Sequence, residues 1–177
     1  MIIGLYSPVP QSGKSMLTSF LEHHFHFQPL AIADPIKRLV RHLLLQCKIE
    51  ANVADQLMEA AKETPIPKLG NKSVRELCQS LGKDWGRDLV GEDLWLNILM
   101  SNLHPDHAYV IDGLRFPNEY QAIKERGGEV WKIVRPDATL PNDHPSEGLL
   151  DHYPFDRVLV NDGTKQELFQ QIIRSKH

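Results

Sequence analysis

The sequence predicts an α/β domain, a central parallel sheet of about five strands held between two layers of helices. Three observations carry this. Apolar runs of strand length alternate with stretches of helical periodicity along the chain, and that alternation calls for a parallel sheet covered on both faces. The first run, Ile2-Ile3-Gly4-Leu5-Tyr6, passes into Ser7-Pro8-Val9-Pro10-Gln11-Ser12-Gly13-Lys14-Ser15, whose last three residues are those of a phosphate-binding loop. A helical pattern, Leu17, Phe20, Leu21 and His24, follows at once.

In such a loop, backbone N–H groups curl around phosphate oxygens, the lysine reaches the outer phosphates and the hydroxyl holds Mg²⁺. The expected architecture is therefore a P-loop NTPase, a three-layer sandwich, with Ser12, Gly13, Lys14, Ser15 and Met16 binding ATP and Ser15 also a Mg²⁺ ligand. Pro8 stands where the full motif has its first glycine. Proline fixes φ at about −65° and offers no donor, so the loop entrance must bend differently, and Pro10 stiffens it further.

The remaining elements follow in order. Phe27 to Ile32 reads as a second strand, placed at a sheet edge by Pro29. Asp34 as N-cap and Pro35 open a helix with the stripe Ile36, Leu39, Val40, Leu43 and Leu44, leaving Lys37, Arg38 and Arg41 off it. A helix over 51–62 leads into a Pro- and Gly-bearing loop, and Ser73-Val74-Arg75-Glu76 is a capping box for a helix that Gly82 ends. Arg75 and Gln79 share its outward face. Residues 83–91, with Trp85 and Arg87, read as a connection, after which Asp93 caps the apolar helix 94–103. The third strand, 108–112, ends in the carboxylate of Asp112, placed like a Walker B acid that holds Mg²⁺. A helix over 118–126, a strand over 129–134 ending at Arg135, a polar loop over 137–156, a last strand at 157–160 and a helix opened by the capping box Thr164–Glu167 complete the chain. A loop that long is expected to be functional, here a lid.

A chain of 177 residues that is 41% hydrophobic can bury one core, so a single domain over 1–177 is expected. A net charge of −3 gives no general attraction to nucleic acid. With no secretion signal and no apolar run of about eighteen residues, no membrane association and a cytoplasmic location are expected. Cys47 and Cys78 read as small core residues of a reducing compartment. The His23, His24, His26 group lacks a convincing ligand set.

The string Ile111-Asp112-Gly113-Leu114-Arg115-Phe116-Pro117-Asn118-Glu119, with Gly127-Gly128, Val134-Arg135-Pro136 and Val160-Asn161-Asp162-Gly163-Thr164, resembles the deoxynucleoside monophosphate kinases of bacteriophages. So do Arg75-Glu76-Leu77-Cys78-Gln79-Ser80-Leu81-Gly82, Trp95 and His144-Pro145-Ser146-Glu147. The resemblance implies a kinase that moves the γ-phosphoryl group of ATP, with Mg²⁺, onto the 5′-phosphate of a deoxynucleotide. Lys14 would match the loop lysine, Asp112 the strand-end acid and Arg115 the arginine after it. The chain is compact beside the larger phage members, so substrate-covering insertions are expected to be trimmed.

The residues point the same way. A phosphate acceptor has a second pKa of about 6 and needs cations and positioning more than a general base. Lys14, Asp112 and Arg115 are the candidate catalytic residues; Arg135, Asn161 and Gly163 join the nucleotide-binding set; and Asp34, Lys37, Arg41, Arg75, Gln79, Arg87, Trp95 and Glu119 are candidates for the acceptor. Expected partners are small-molecule nucleotides, with a homodimer left open. Two alternatives stand beside this reading. One is a P-loop kinase of a small hydroxyl metabolite, with Asp34 as base; the other is a non-catalytic NTP-binding regulatory protein.

Overall fold

A computed structural model describes residues 1–9, 11–138 and 148–173. The chain separates into two compact units, one formed by Met1–Ile32 and Leu103–His177, the other by Ala33–Asn102.

The first unit is built on five strands, β1 (Ile2–Tyr6), β2 (Gln28–Ala31), β3 (Tyr109–Leu114), β4 (Glu129–Val134) and β5 (Arg157–Val160). They pair in the order β2-β3-β1-β4-β5, every pairing parallel. The edge position expected from Pro29 is observed. Because side chains alternate along a strand, Ile3 and Leu5 point to one face, where they meet Leu17, Phe20 and Leu21 of α1 (Lys14–Phe25) and Leu168 and Ile172 of α7 (Lys165–Ile173). The other face receives α6 (Pro117–Glu125), whose Ile123 lies against Gly4, where any Cβ would meet it.

From β1 the chain runs through α1 to one side of the sheet, and from β3 through α6 to the other. The carboxyl ends of β1 and β3 are thus the switch point of the sheet, where ligands of such folds bind.

No helix joins β4 to β5 among the described residues. Of the expected lid over 137–156, residues 139–147 lie outside the described residues. The part from Gly148 onward packs on the sheet: Leu150 is fully buried, and Asp151 accepts from Lys132 Nζ at 2.7 Å and from Tyr6 Oη at 3.0 Å. Asp156 accepts from Lys124 Nζ and from the Val130 amide, each at 2.7 Å, and Phe155 stacks on Tyr6.

The second unit is helical: α2 (Asp34–Gln46), α3 (Ala51–Glu59), a 3₁₀ turn (Pro67–Leu69), α4 (Val74–Gln79), a π-helix (Ser80–Val90) and α5 (Leu94–Ser101). Val40, Leu44, Ala54, Ile66 and Val74 form its core. Three expectations are corrected here. Ala33 is the N-cap of α2 and Asp34 its first helical residue, where its charge still suits the positive end of the helix. The apolar stripe of α2 is narrower than predicted, since Leu39 and Leu43 remain 48% and 40% exposed. The helix does not stop at Gly82; it widens into the π-helix, closed by bonds such as Gly91 N–H to Gly86 O at 2.9 Å.

Trp95 packs against the widened turns. Its indole lies against Gly86, where a Cβ would overlap the ring, and donates Nε1–H to the Gly82 carbonyl at 2.8 Å. Gly82, read in sequence as the end of the helix, supplies the carbonyl that holds the tryptophan, and Gly86 leaves room for its ring. The capping box of α4 is present in full, with Ser73 N–H donating to Glu76 Oε2 at 2.9 Å and Glu76 N–H to Ser73 Oγ at 3.3 Å. That backbone bond, with Lys72 and the Ser73 hydroxyl, pulls the Glu76 carboxyl down to about 2.

Candidate functional site

After β1 the chain bends at Ser7, whose hydroxyl bonds locally to the backbone of Val9. Gln11 and Gly13 then take left-handed φ values of 53° and 105°, and Gly13 becomes the N-cap of α1. This is the tight curl that sets successive N–H groups toward an anion, in front of a helix terminus carrying partial positive charge. Ser12 is 1% exposed, Ser15 is exposed, and the Met16 side chain packs against the core behind the loop.

Lys14, the first residue of α1, approaches Ser12 Oγ at 3.5 Å, the outer limit of a hydrogen bond. Burial pushes its ammonium below the usual lysine range; the charge of Asp112 opposes the shift and that of Arg115 adds to it. Asp112 and Arg115 therefore both act on the charge of Lys14. Asp112 faces Leu5 across the β1–β3 ladder, and the register slips immediately afterwards, so that Tyr6 pairs with Leu114 and Gly113 forms a bulge. Bulges of this kind re-aim side chains at strand ends.

Glu119, a candidate for the acceptor, is 4% exposed and accepts from the Arg115 and Phe116 amides at 2.7 and 3.0 Å. Its carboxylate thus fixes the backbone that carries Arg115. Arg135 Nη1 donates to the Gln11 carbonyl and Asn161 Nδ2 to the Ser12 carbonyl, each at 2.8 Å. Gly163 is in the turn after β5, beside Glu167, whose carboxylate accepts from Thr164 at 2.6 Å to cap α7.

The other acceptor candidates belong to the helical unit. Lys37 pairs with Asp34 at 3.4 Å, Arg41 with Asp55 through two bonds of 2.6 and 3.1 Å, and Arg75 with Glu63. Arg75 and Gln79 are both exposed on α4, as their spacing predicts. The Arg87 side chain is 17% exposed and lies 3.3 Å from Glu92, and Trp95, at 3% exposure, is core. The carboxylate partners Asp55 and Glu63 carry no local motif and were not legible in sequence; nor was Gln11, whose left-handed backbone no composition rule singles out. Among the described residues no group of three or more potential ligands could hold a metal by itself.

The family model described as deoxynucleotide monophosphate kinase matches residues 46–172. A putative deoxynucleotide monophosphate kinase of Acanthamoeba polyphaga mimivirus is 32% identical over 180 residues, which cover 92% of this chain and 89% of the relative. The deoxynucleoside-5′-monophosphate kinase of Escherichia phage T5 is 33% identical over 99 residues, 50% of this chain and 39% of the relative. The deoxynucleotide monophosphate kinase of Enterobacteria phage T4 is 29% identical over 105 residues, 56% of this chain and 44% of the relative. The match thus spans less than half the length of these phage relatives and most of the viral one.

Proposed function

The chain belongs to the deoxynucleotide monophosphate kinase family, and on that premise we propose that it transfers the γ-phosphoryl group of ATP to the 5′-phosphate of a deoxynucleoside monophosphate, giving a deoxynucleoside diphosphate and ADP. The observation that carries the reading is a phosphate-type loop at the switch point of a parallel sheet, whose Lys14 feels the charges of Asp112 and Arg115.

The loop N–H groups from Gly13 to Met16 and the Lys14 ammonium would hold the donor phosphates. The donor set fits Mg²⁺: the Ser15 hydroxyl, in the first turn of α1, and the Asp112 carboxylate, in the second half of β3, are hard oxygen ligands. When bound there, Mg²⁺ neutralises charge on the phosphate oxygens. Arg115, exposed and with its backbone fixed by Glu119, would stabilise the charge of the group in transfer. Because the acceptor is itself a phosphate, largely dianionic at neutral pH, no general base is required. Lys37, Arg41, Arg75 and Gln79 of the helical unit are assigned to the acceptor, with Arg87 and Asp34 beside them in sequence order. Each cation there already pairs with a carboxylate, so acceptor binding is an exchange of anionic partners.

A coupled assay of ATP consumption against a panel of deoxy- and ribonucleoside monophosphates tests the reading. MgATP-dependent turnover of at least one deoxynucleotide is expected. ATP consumption that ignored every monophosphate would reject the kinase assignment.

A further inference from the structure

Resting on the assignment of the loop after β1 to ATP, we propose that Arg135 and Asn161 are positioning residues that grip the outside of that loop, not ligands of the nucleotide. A loop that turns its N–H groups inward to an anion turns carbonyls outward. The carbonyls of Gln11 and Ser12 are those gripped, by Arg135 Nη1 and Asn161 Nδ2, each at 2.8 Å. They lie in the stretch where Gln11 and Gly13 take left-handed φ.

Both braces come from one flank. Arg135 follows β4 and Asn161 follows β5, the strands on the side of β1 away from β3, whereas Asp112 lies in β3 and Arg115 directly follows it. Asn161 is itself fixed, because its backbone N–H donates to the Val134 carbonyl at 2.8 Å and so prolongs the β4–β5 ladder. Gly13 is cut to fit: a Cβ on it would stand 2.6 Å from Asn161 Nδ2 and push the amide off the Ser12 carbonyl. The sequence explains why braces are needed. With Pro8 in place of a glycine and no N–H at that position, the loop entrance cannot bend as the full motif does, and side chains from neighbouring strands fix its outer surface instead. Asn161 carries more of this than Arg135, since its bond is partly buried while that of Arg135 is exposed to water.

The test uses the full chain without nucleotide, then with MgATP. Asn161→Ala should speed hydrogen exchange of the amides at 11–16 in the nucleotide-free protein and raise the KM for ATP about tenfold, as expected for one partly buried hydrogen bond. The acceptor KM and the melting temperature should hold near wild type. Asn161→Asp, equal in shape but without the donor, should behave the same way, and Arg135→Ala should move both readouts less. If the KM for ATP rose while exchange at 11–16 in the free protein stayed as in wild type, Asn161 would be touching nucleotide directly and the proposal would be wrong. It would also be wrong if neither readout moved. Should Asn161→Ala fail to fold, Arg135→Ala carries the same comparison from an exposed position. The assignment beneath the proposal fails differently, through a wild-type protein that neither binds nor consumes ATP, because the exchange comparison is made with no nucleotide present.

Discussion

A lysine held partly out of water is costly unless something repays the lost hydration, and Lys14 is such a residue, with its pKa lowered first by burial and further by Arg115. Asp112 offsets part of that cost. The surplus positive field of Lys14 and Arg115 suits a polyphosphate. Lys14→Ala should therefore lower turnover by at least about a hundredfold while leaving the melting temperature equal to or above that of wild type, measured by coupled assay and thermal scan. Wild-type rates in that variant would remove the loop from the mechanism. Arg115 has a different environment, exposed at the side chain and fixed at the backbone by Glu119. Arg115→Ala should lose about a hundredfold in kcat with little change in either KM, and Arg115→Lys, which keeps charge but not the planar fork, should recover part of it. A KM effect without a kcat effect would make Arg115 a binding residue instead. The position of Arg115 after an apolar strand and an acid was legible in sequence. The role of Glu119 was not: its residue type suggests a ligand of substrate, and only its burial against two backbone amides reveals a structural anchor.

Elements read well where one local rule decided them and badly where two rules competed. The capping box Ser73–Glu76 is a purely local signal and is present bond for bond. Gly82 is read as a breaker because glycine disfavours helix, but tertiary packing wins: the Trp95 indole takes the space that the missing side chain of Gly86 leaves and donates to the Gly82 carbonyl, within a widened helix that runs on past both. Gly86→Ala should destabilise the protein by about 1–3 kcal/mol in urea denaturation, overpacking against Trp95 outweighing the smaller gain in helix propensity. A stabilised variant would show that the seat is loose. The capping box also predicts a pH response. Glu76 is held down to about 2 from an ordinary 4.5, so its contribution is fully present above 4.5 and is lost as pH falls from there through 2. Glu76→Gln should flatten that limb of the acid-unfolding curve, followed by circular dichroism, and an unchanged limb would assign the acid sensitivity to other carboxylates.

At the scale of the molecule, the strands and their parallel pairing were legible because each strand is short and followed by a helix or a turn signal, whereas their order was not. Division into a sheet unit and a helical unit was not legible either, because Ala33–Asn102 is joined to the rest of the chain without the Gly, Ser or Pro run that marks a linker. The division sorts the assignments made above: the loop, Asp112 and Arg115 lie in the sheet unit, and Lys37, Arg41, Arg75 and Gln79 in the helical one. Two ligands that bind the native protein should each raise its melting temperature on their own, by about 5–10 °C at a hundredfold excess over Kd for a chain of this size. Lys14→Ala should abolish the shift given by MgATP and spare the shift given by the deoxynucleotide. Arg75→Ala should do the reverse, since losing the arginine fork removes ground-state affinity for the acceptor alone and appears as a raised acceptor KM. Glu63, the present partner of Arg75, then becomes a competitor of the acceptor phosphate, and Glu63→Gln should increase the deoxynucleotide shift without altering that of ATP. Were Arg75→Ala to erase the ATP shift and keep that of the deoxynucleotide, donor and acceptor would have to exchange units, and the assignment of Arg75 with Gln79 to the acceptor would fall.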